Sequence, residues 1–118
     1  MKIEDIFIDS INKKIRFLIG TSAKVNFNII DVSESGDLWF HADDYSSCHV
    51  IAEMPANNFD ISEIISIGAG LCVNNTKKLK NKNKVTIIYD YIRNISKSKE
   101  IGGVDINEET IKYYSIQV

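Results

Sequence analysis

Hydrophobic positions recur at two periods along this chain, and each change of period marks a new element. Ile6 and Ile8 alternate with Phe7 and Asp9, the period of two of a β-strand. Asn12-Lys13-Lys14 reads as a turn and Ile15 to Ile19 as a second strand ended by Gly20, so the first two strands form a hairpin. Ser22 is placed to cap a short helix from Ala23 to Ile30, with Ala23, Phe27 and Ile30 on one side and Lys24 and Asn28 on the other. So short a helix needs tertiary packing to persist. Ser33 to Asp37 is a loop, and Leu38 to Ala42 with His49 to Glu53 form a central hairpin. After Phe59, Asp60 stands as a helix cap with Glu63 positioned to complete a capping box. Ile61, Ile64, Ile65, Gly68, Leu71 and Cys72 then recur at helical spacing as a buried stripe. Gly68 and Gly70 each cost up to about 1 kcal/mol of helix propensity, which makes sense where a helix lies very close to a sheet.

Val85 to Tyr89 is rich in β-branched residues and reads as a buried strand. Gly102-Gly103 is a turn or an anion-contacting loop. Val104 to Ile106 and Thr110 to Val118 are closing strands around the turn Asn107-Glu108-Glu109. Hairpin pairing dominates this order. It predicts one α+β domain over residues 1–118, a mainly antiparallel sheet with one long and one short helix packed on one of its faces.

Length and composition agree with a single globular core: 118 residues, 44% hydrophobic and 25% charged. No apolar run approaches the roughly 18 residues of a membrane span, and the charged N-terminus is not a signal peptide, so no membrane partner is expected. Cys48 and Cys72 have neither zinc spacing nor a disulfide framework and read as reduced cysteines of an intracellular, cytoplasmic protein.

Charge distribution adds more than the net of −2. Residues 1–60 carry 5 basic and 10 acidic side chains, whereas Lys77 to Lys99 hold 8 basic residues against Asp90 alone. Phosphate binding follows local potential rather than the total. Taken by itself this stretch is read either as a solvated loop or as a phosphate-binding one, with Lys77, Lys78, Lys80, Lys82 and Lys84 before the fifth strand and Arg93, Lys97 and Lys99 after it. Flanking both ends of a strand, the two groups make two patches about 20 Å apart.

The candidate chemistry centres on Asp37-Leu38-Trp39-Phe40-His41-Ala42 and, eight residues after His41, His49-Val50. These hold the only tryptophan and both histidines. A hairpin centred on Tyr45 sets His41 opposite His49 and Trp39 opposite Ile51, with Trp39 and His41 on one face and Phe40 and Ala42 on the other. Trp39 is either a packing residue or a base-stacking platform. Tyr89 and Tyr91 offer a second stacking face or core packing. The histidines are hydrogen-bonded structural groups, contacts for phosphate or base edges, or, with Asp43, a two-histidine, one-carboxylate metal set. No cofactor and no tightly bound metal are expected. Cys48 lies on the opposite face from the histidines, and no nucleophile elbow or phosphate loop occurs, so no catalytic residue is assigned.

Gly20 to Asn26, Asp37 to Ala42 and Ser46-Ser47-Cys48-His49-Val50 together resemble the RNA-binding domain of the NFACT proteins, which include ribosome quality-control factors and stand-alone eukaryotic members. The resemblance extends through Asp60 to Asn75, Val85 to Tyr89 and the Lys97-Ser98-Lys99 loop with Gly102-Gly103. Where members often have Gly-Ser before the second histidine, this chain has Ser47-Cys48. The resemblance implies a non-enzymatic RNA-binding domain, with transfer RNA or ribosomal RNA as ligand, and it adds Lys24 and Asn26 to the candidate site. The domain of the large members to which peptide tailing is attached is not in this sequence, so tailing is not expected. Open alternatives are DNA binding, docking on ribosome-associated proteins or another assembly, and a small metal-dependent enzyme. If charged imidazoles make the contact, RNA binding strengthens below about pH 6.5.

Overall fold

Lys2–Ile8 (β1) and Lys13–Gly20 (β2) pair antiparallel, and the chain reverses between them through Asn12 at φ 53°. In the computed structural model, which describes residues 1–56 and 60–117, Ala23–Asp31 (α1) follows, then Leu38–Ala42 (β3), His49–Ala52 (β4) and Ser62–Asn74 (α2). Lys84–Tyr91 (β5), the short strands Ser96–Lys97 (β6) and Val104–Asp105 (β7), and Lys112–Gln117 (β8) complete the fold. Six strands form one sheet in the order β1-β2-β4-β3-β5-β8, and every neighbouring pair is antiparallel. The α+β expectation holds. Phe59 and Val118 lie outside the described residues. Among the described residues no helix is long and apolar enough to cross a membrane.

The central hairpin has the expected register: Leu38 faces Ala52, Trp39 faces Ile51 and Phe40 faces Val50. Side-chain alternation then sorts the sheet into two cores. Phe17, Ile19, Leu38, Phe40, Val50, Ala52 and Ile87 point to one face, where Ile64, Ala69, Cys72 and Val73 of α2 cover them. Leu18, Trp39, Ile51 and Ile88 point to the other, against Ile29 of α1. The helices therefore sit on opposite faces, not on one as expected. The runs Phe17-Leu18-Ile19 and Val50-Ile51-Ala52 are apolar at every position because both their faces are buried.

Three local expectations also change. The inward side of α1 is Asn26 and Ile29, with Ala23 exposed and Phe27 half-buried. Glu63 does not close a capping box. Its Oε1 accepts the Ser10 N–H at 3.1 Å and ties α2 to the first hairpin, while Asp60 Oδ1 accepts from Ser62 N–H and Oγ–H at 2.9 and 2.6 Å. β7 pairs with β6 in a separate two-stranded ribbon, and β8 alone closes the sheet.

Gly68 carries the close approach of α2. A Cβ there would sit 2.5 Å from the Phe40 ring, whereas nothing crowds Gly70. Gly68→Ala is therefore expected to destabilise by about 1–3 kcal/mol through overpacking, despite a helix-propensity gain of about 1 kcal/mol. Urea unfolding measures it, and a stabilised variant would contradict the packing described.

Asp37, read as a loop residue, is buried. Its Oδ1 accepts the Met54 N–H and its Oδ2 the Glu34 N–H, each at 2.9 Å, and its carbonyl takes the Ile92 N–H at 2.8 Å. It thus fixes the entry of β3, and so the position of the histidines.

Candidate functional site

His41 and His49 stand side by side on the face that carries α1. Their ring centroids are 4.7 Å apart with planes at 73°. Trp39 lies beneath them, parallel to His41 at 5.8 Å and edge-on to His49 at 5.6 Å. Trp39 has no exposed surface, so it is not a stacking platform. Its indole Nε1–H donates to His49 Nδ1 at 3.0 Å.

Two hydrogen bonds define the chemistry of the pair. A nitrogen that accepts a hydrogen bond carries no proton, so neutral His49 bears its proton on Nε2. His41 Nδ1 lies 2.6 Å from the Ala42 carbonyl, which can only accept. Neutral His41 therefore carries its proton on Nδ1 and presents Nε2 as an acceptor. Burial lowers the His41 pKa below its usual value, with partial opposition from the Ala42 hydrogen bond and Asp43 and a smaller push from Lys78. Burial and the neighbouring His41 lower His49 to about 3. The pair is thus neutral near pH 7 and offers a donor beside an acceptor. Burial thus works against charged imidazoles, the expected basis for tighter binding below pH 6.5.

A cleft of about 680 Å³ opens over the histidines. Thr21, Ser22 and Asn26 at the start of α1 form one wall, and Asp43 to Ser47 of the β3–β4 turn another. The Ile101–Val104 loop forms a third. Two glycines make this assembly possible. A Cβ on Gly20 would meet Asn26 Oδ1 at 2.5 Å, and one on Gly102, at φ +86°, would meet the Ala23 Cα at 2.6 Å. The backbone of residue 102 is left-handed and pressed on the first turn of α1, so only glycine suits it. Asn26 is 7% exposed, and its Oδ1 is the one buried polar side-chain atom without a hydrogen-bond partner among the described residues.

Ser47 has a backbone that is not left-handed, so this position does not require glycine's freedom. Its Oγ accepts the Ala42 N–H at 3.0 Å and donates to the Cys48 carbonyl at 2.9 Å, bracing the turn. Cys48 faces the α2 core, where each thiol donates to the other cysteine's carbonyl at 3.4 Å.

The basic residues divide. Lys77, Lys78, Lys80, Lys82 and Lys84 are all exposed, in the 3-10 turn Lys77–Leu79 and the segment leading into β5. Lys78 is close enough to act on His41, and the Lys82 ammonium lies 4.9 Å from the Tyr45 ring centroid at the cleft rim. Lys24 is exposed on α1 and Lys99 in the loop before Gly102. Lys97 is tied to Asp31 at 2.7 Å and lies 5.1 Å from the Phe27 ring centroid. Arg93 stacks on Tyr91 at 4.3 Å. Tyr89 and Tyr91 pack into the α2 core, away from the histidines.

Sequence reasoning missed the aromatics this face does expose. Tyr45 is 37% exposed at the rim. Tyr113 is 61% exposed and pairs across β8 with Ile88, which itself pairs with His41. Pairing residues share a face, so Tyr113 belongs to the histidine row. Its place could be found only once β8 was known to pair with β5.

A family profile described as "NFACT protein RNA binding domain" matches residues 6–106. Curated proteins gave no match. Among solved structures, the chain is similar to the C-terminal of the fibronectin/fibrinogen-binding protein from Streptococcus suis, at 22% identity and a TM-score of 0.75. The likeness, one of fold, covers 100% of this chain and 45% of that one, so the chain spans under half the length of that structure.

Proposed function

The chain belongs to the NFACT protein RNA binding domain family, and on that premise we propose that it acts by binding RNA rather than by catalysis. Transfer RNA or ribosomal RNA is the ligand, in a translation or ribosome-associated setting in the cytoplasm. The observation that carries this reading is the meeting of the histidine cleft with the lysine segment: the Lys82 ammonium lies 4.9 Å from the Tyr45 ring centroid at the rim, and the Lys78 charge is felt at His41. Exposed lysines held at the edge of a cleft supply the sequence-independent part of RNA affinity, while neutral polar groups inside it supply discrimination.

The test is the salt dependence of binding. Replacing Lys78, Lys80 and Lys82 together with glutamine is expected to weaken binding of single-stranded RNA. It should flatten the slope of log affinity against log salt by about two units, at about 0.7 for each phosphate no longer neutralised. An unchanged slope would show that these lysines are merely solvated. All three are exposed, so the unfolding midpoint should stay where it is.

A further inference from the structure

We propose that the cleft over His41 and His49 is a pocket for one unstacked nucleobase, read through its hydrogen-bonding edge, with the backbone phosphates held outside it. This rests on the RNA-binding reading and specifies which part of the RNA enters the site.

The cleft floor offers one donor and one acceptor. His49 Nε2–H is the donor and His41 Nε2 the acceptor, assigned by their bonds to Trp39 and Ala42. Every nucleobase has an edge on which an acceptor adjoins a donor, so a neutral donor–acceptor pair matches a base edge. It matches a phosphate poorly, because a phosphate brings only acceptors to His41 Nε2. Charge favours the same ligand, since Asp43 and Asp44 line the cleft and repel an anion there. The cations stand outside, with Lys82 on Tyr45 and Lys78 near His41, where a backbone attached to an inserted base would run.

Asn26 provides the second, independent observation. A buried amide oxygen without a partner carries a desolvation penalty that a native fold seldom leaves unanswered. Asn26 lines the cleft from α1, beside the strand position that faces His49, because Gly20 pairs with His49 and lies against Asn26. The oxygen lies against Gly20, and a turn of the side chain away from the strand would bring it to a base amino or imino group. Ile88 adds apolar surface to the same cleft, and Tyr45 an exposed ring at its mouth.

The experiment compares an RNA trinucleotide with the same ribose–phosphate backbone lacking all three bases, at matched salt and pH. The two carry equal charge, so phosphate contacts alone give equal affinities and equal salt slopes. The proposal predicts at least tenfold weaker binding of the abasic backbone with an unchanged salt slope. It also predicts that the base-bearing trinucleotide alone shifts the imidazole nitrogen resonances of His41 and His49. Equal affinity of the two probes, or binding of the trinucleotide without imidazole shifts, overturns the pocket while leaving RNA binding by the lysines intact. If neither the trinucleotide nor any longer RNA binds, the RNA-binding reading itself falls.

Asn26→Ser, a smaller polar change, should lower trinucleotide affinity and leave the abasic backbone unaffected. An equal loss for both probes would assign Asn26 to the fold rather than to the base.

Discussion

Acidification from pH 7 to pH 5 is expected to remove about 2 kcal/mol of folding stability through His49 alone. In the fold this imidazole stays neutral down to about pH 3, because burial and His41 penalise its charged form. In the unfolded chain it takes up a proton near pH 6.5. Between those values the unfolded state binds more protons, so stability is fully present above about pH 6.5 and falls as pH drops below it. The slope is about 1.4 kcal/mol per pH unit for one histidine, and the loss levels off near the folded pKa. His41 is lowered in the same direction and steepens the decline. Urea unfolding at pH 7.5 and 5.0 measures the effect. His49→Gln, whose side-chain oxygen can still accept from the Trp39 indole, should remove most of the pH dependence. Equal stability at both pH values would show that His49 is charged in the fold. For the same reason RNA affinity should not strengthen between pH 8 and 6 at constant ionic strength.

Trp39→Phe is expected to produce the second large effect, on stability and binding together. The substitution keeps an aromatic ring in the core but deletes the indole N–H, leaving His49 Nδ1 buried without its donor. Losing the partner of a buried polar atom costs about 1–3 kcal/mol, and the smaller ring adds a packing loss. The released His49 can then carry its proton on Nδ1, which turns Nε2 from donor to acceptor and gives the cleft two acceptors where a base edge needs one of each. RNA affinity should therefore drop by about tenfold, or 1.4 kcal/mol, at fixed salt and pH under conditions where the variant remains folded. A lowered unfolding midpoint with unchanged affinity would confine Trp39 to the core.

The central hairpin was legible because strand alternation admits few registers. Once Trp39 and Phe40 face opposite ways, centring the turn on Tyr45 leads directly to Trp39 facing Ile51. The close approach of α2 could likewise be read from Gly68, where a Cβ would run into the Phe40 ring. The placement of α1 was not legible in the same way. Its inward face includes Asn26, and a helical wheel that counts only apolar residues assigns an asparagine to solvent. The continuous apolar runs of β2 and β4 did carry the information that both sheet faces are covered.

The site divides along similar lines. Both histidines could be paired from spacing alone, and the family resemblance brought in Asn26. Burial decided the role of Trp39, and burial depends on α1 and the Gly102 loop closing over that face. Trp39 is buried and orients His49 through its indole N–H, and no local pattern distinguishes that role from an exposed stacking one. Lys97 looked equivalent to Lys78 in sequence, yet it is engaged by Asp31, 66 residues away.

Photocrosslinking of bound RNA to the purified domain, with the modified residues mapped by mass spectrometry, tests most directly where RNA lies. Crosslinks are expected on the histidine face, at His41, Tyr45 and His49, with Lys78 and Lys82 beside them. Crosslinks confined to the opposite face, on α2 or at Tyr91, would contradict RNA binding at the histidine cleft.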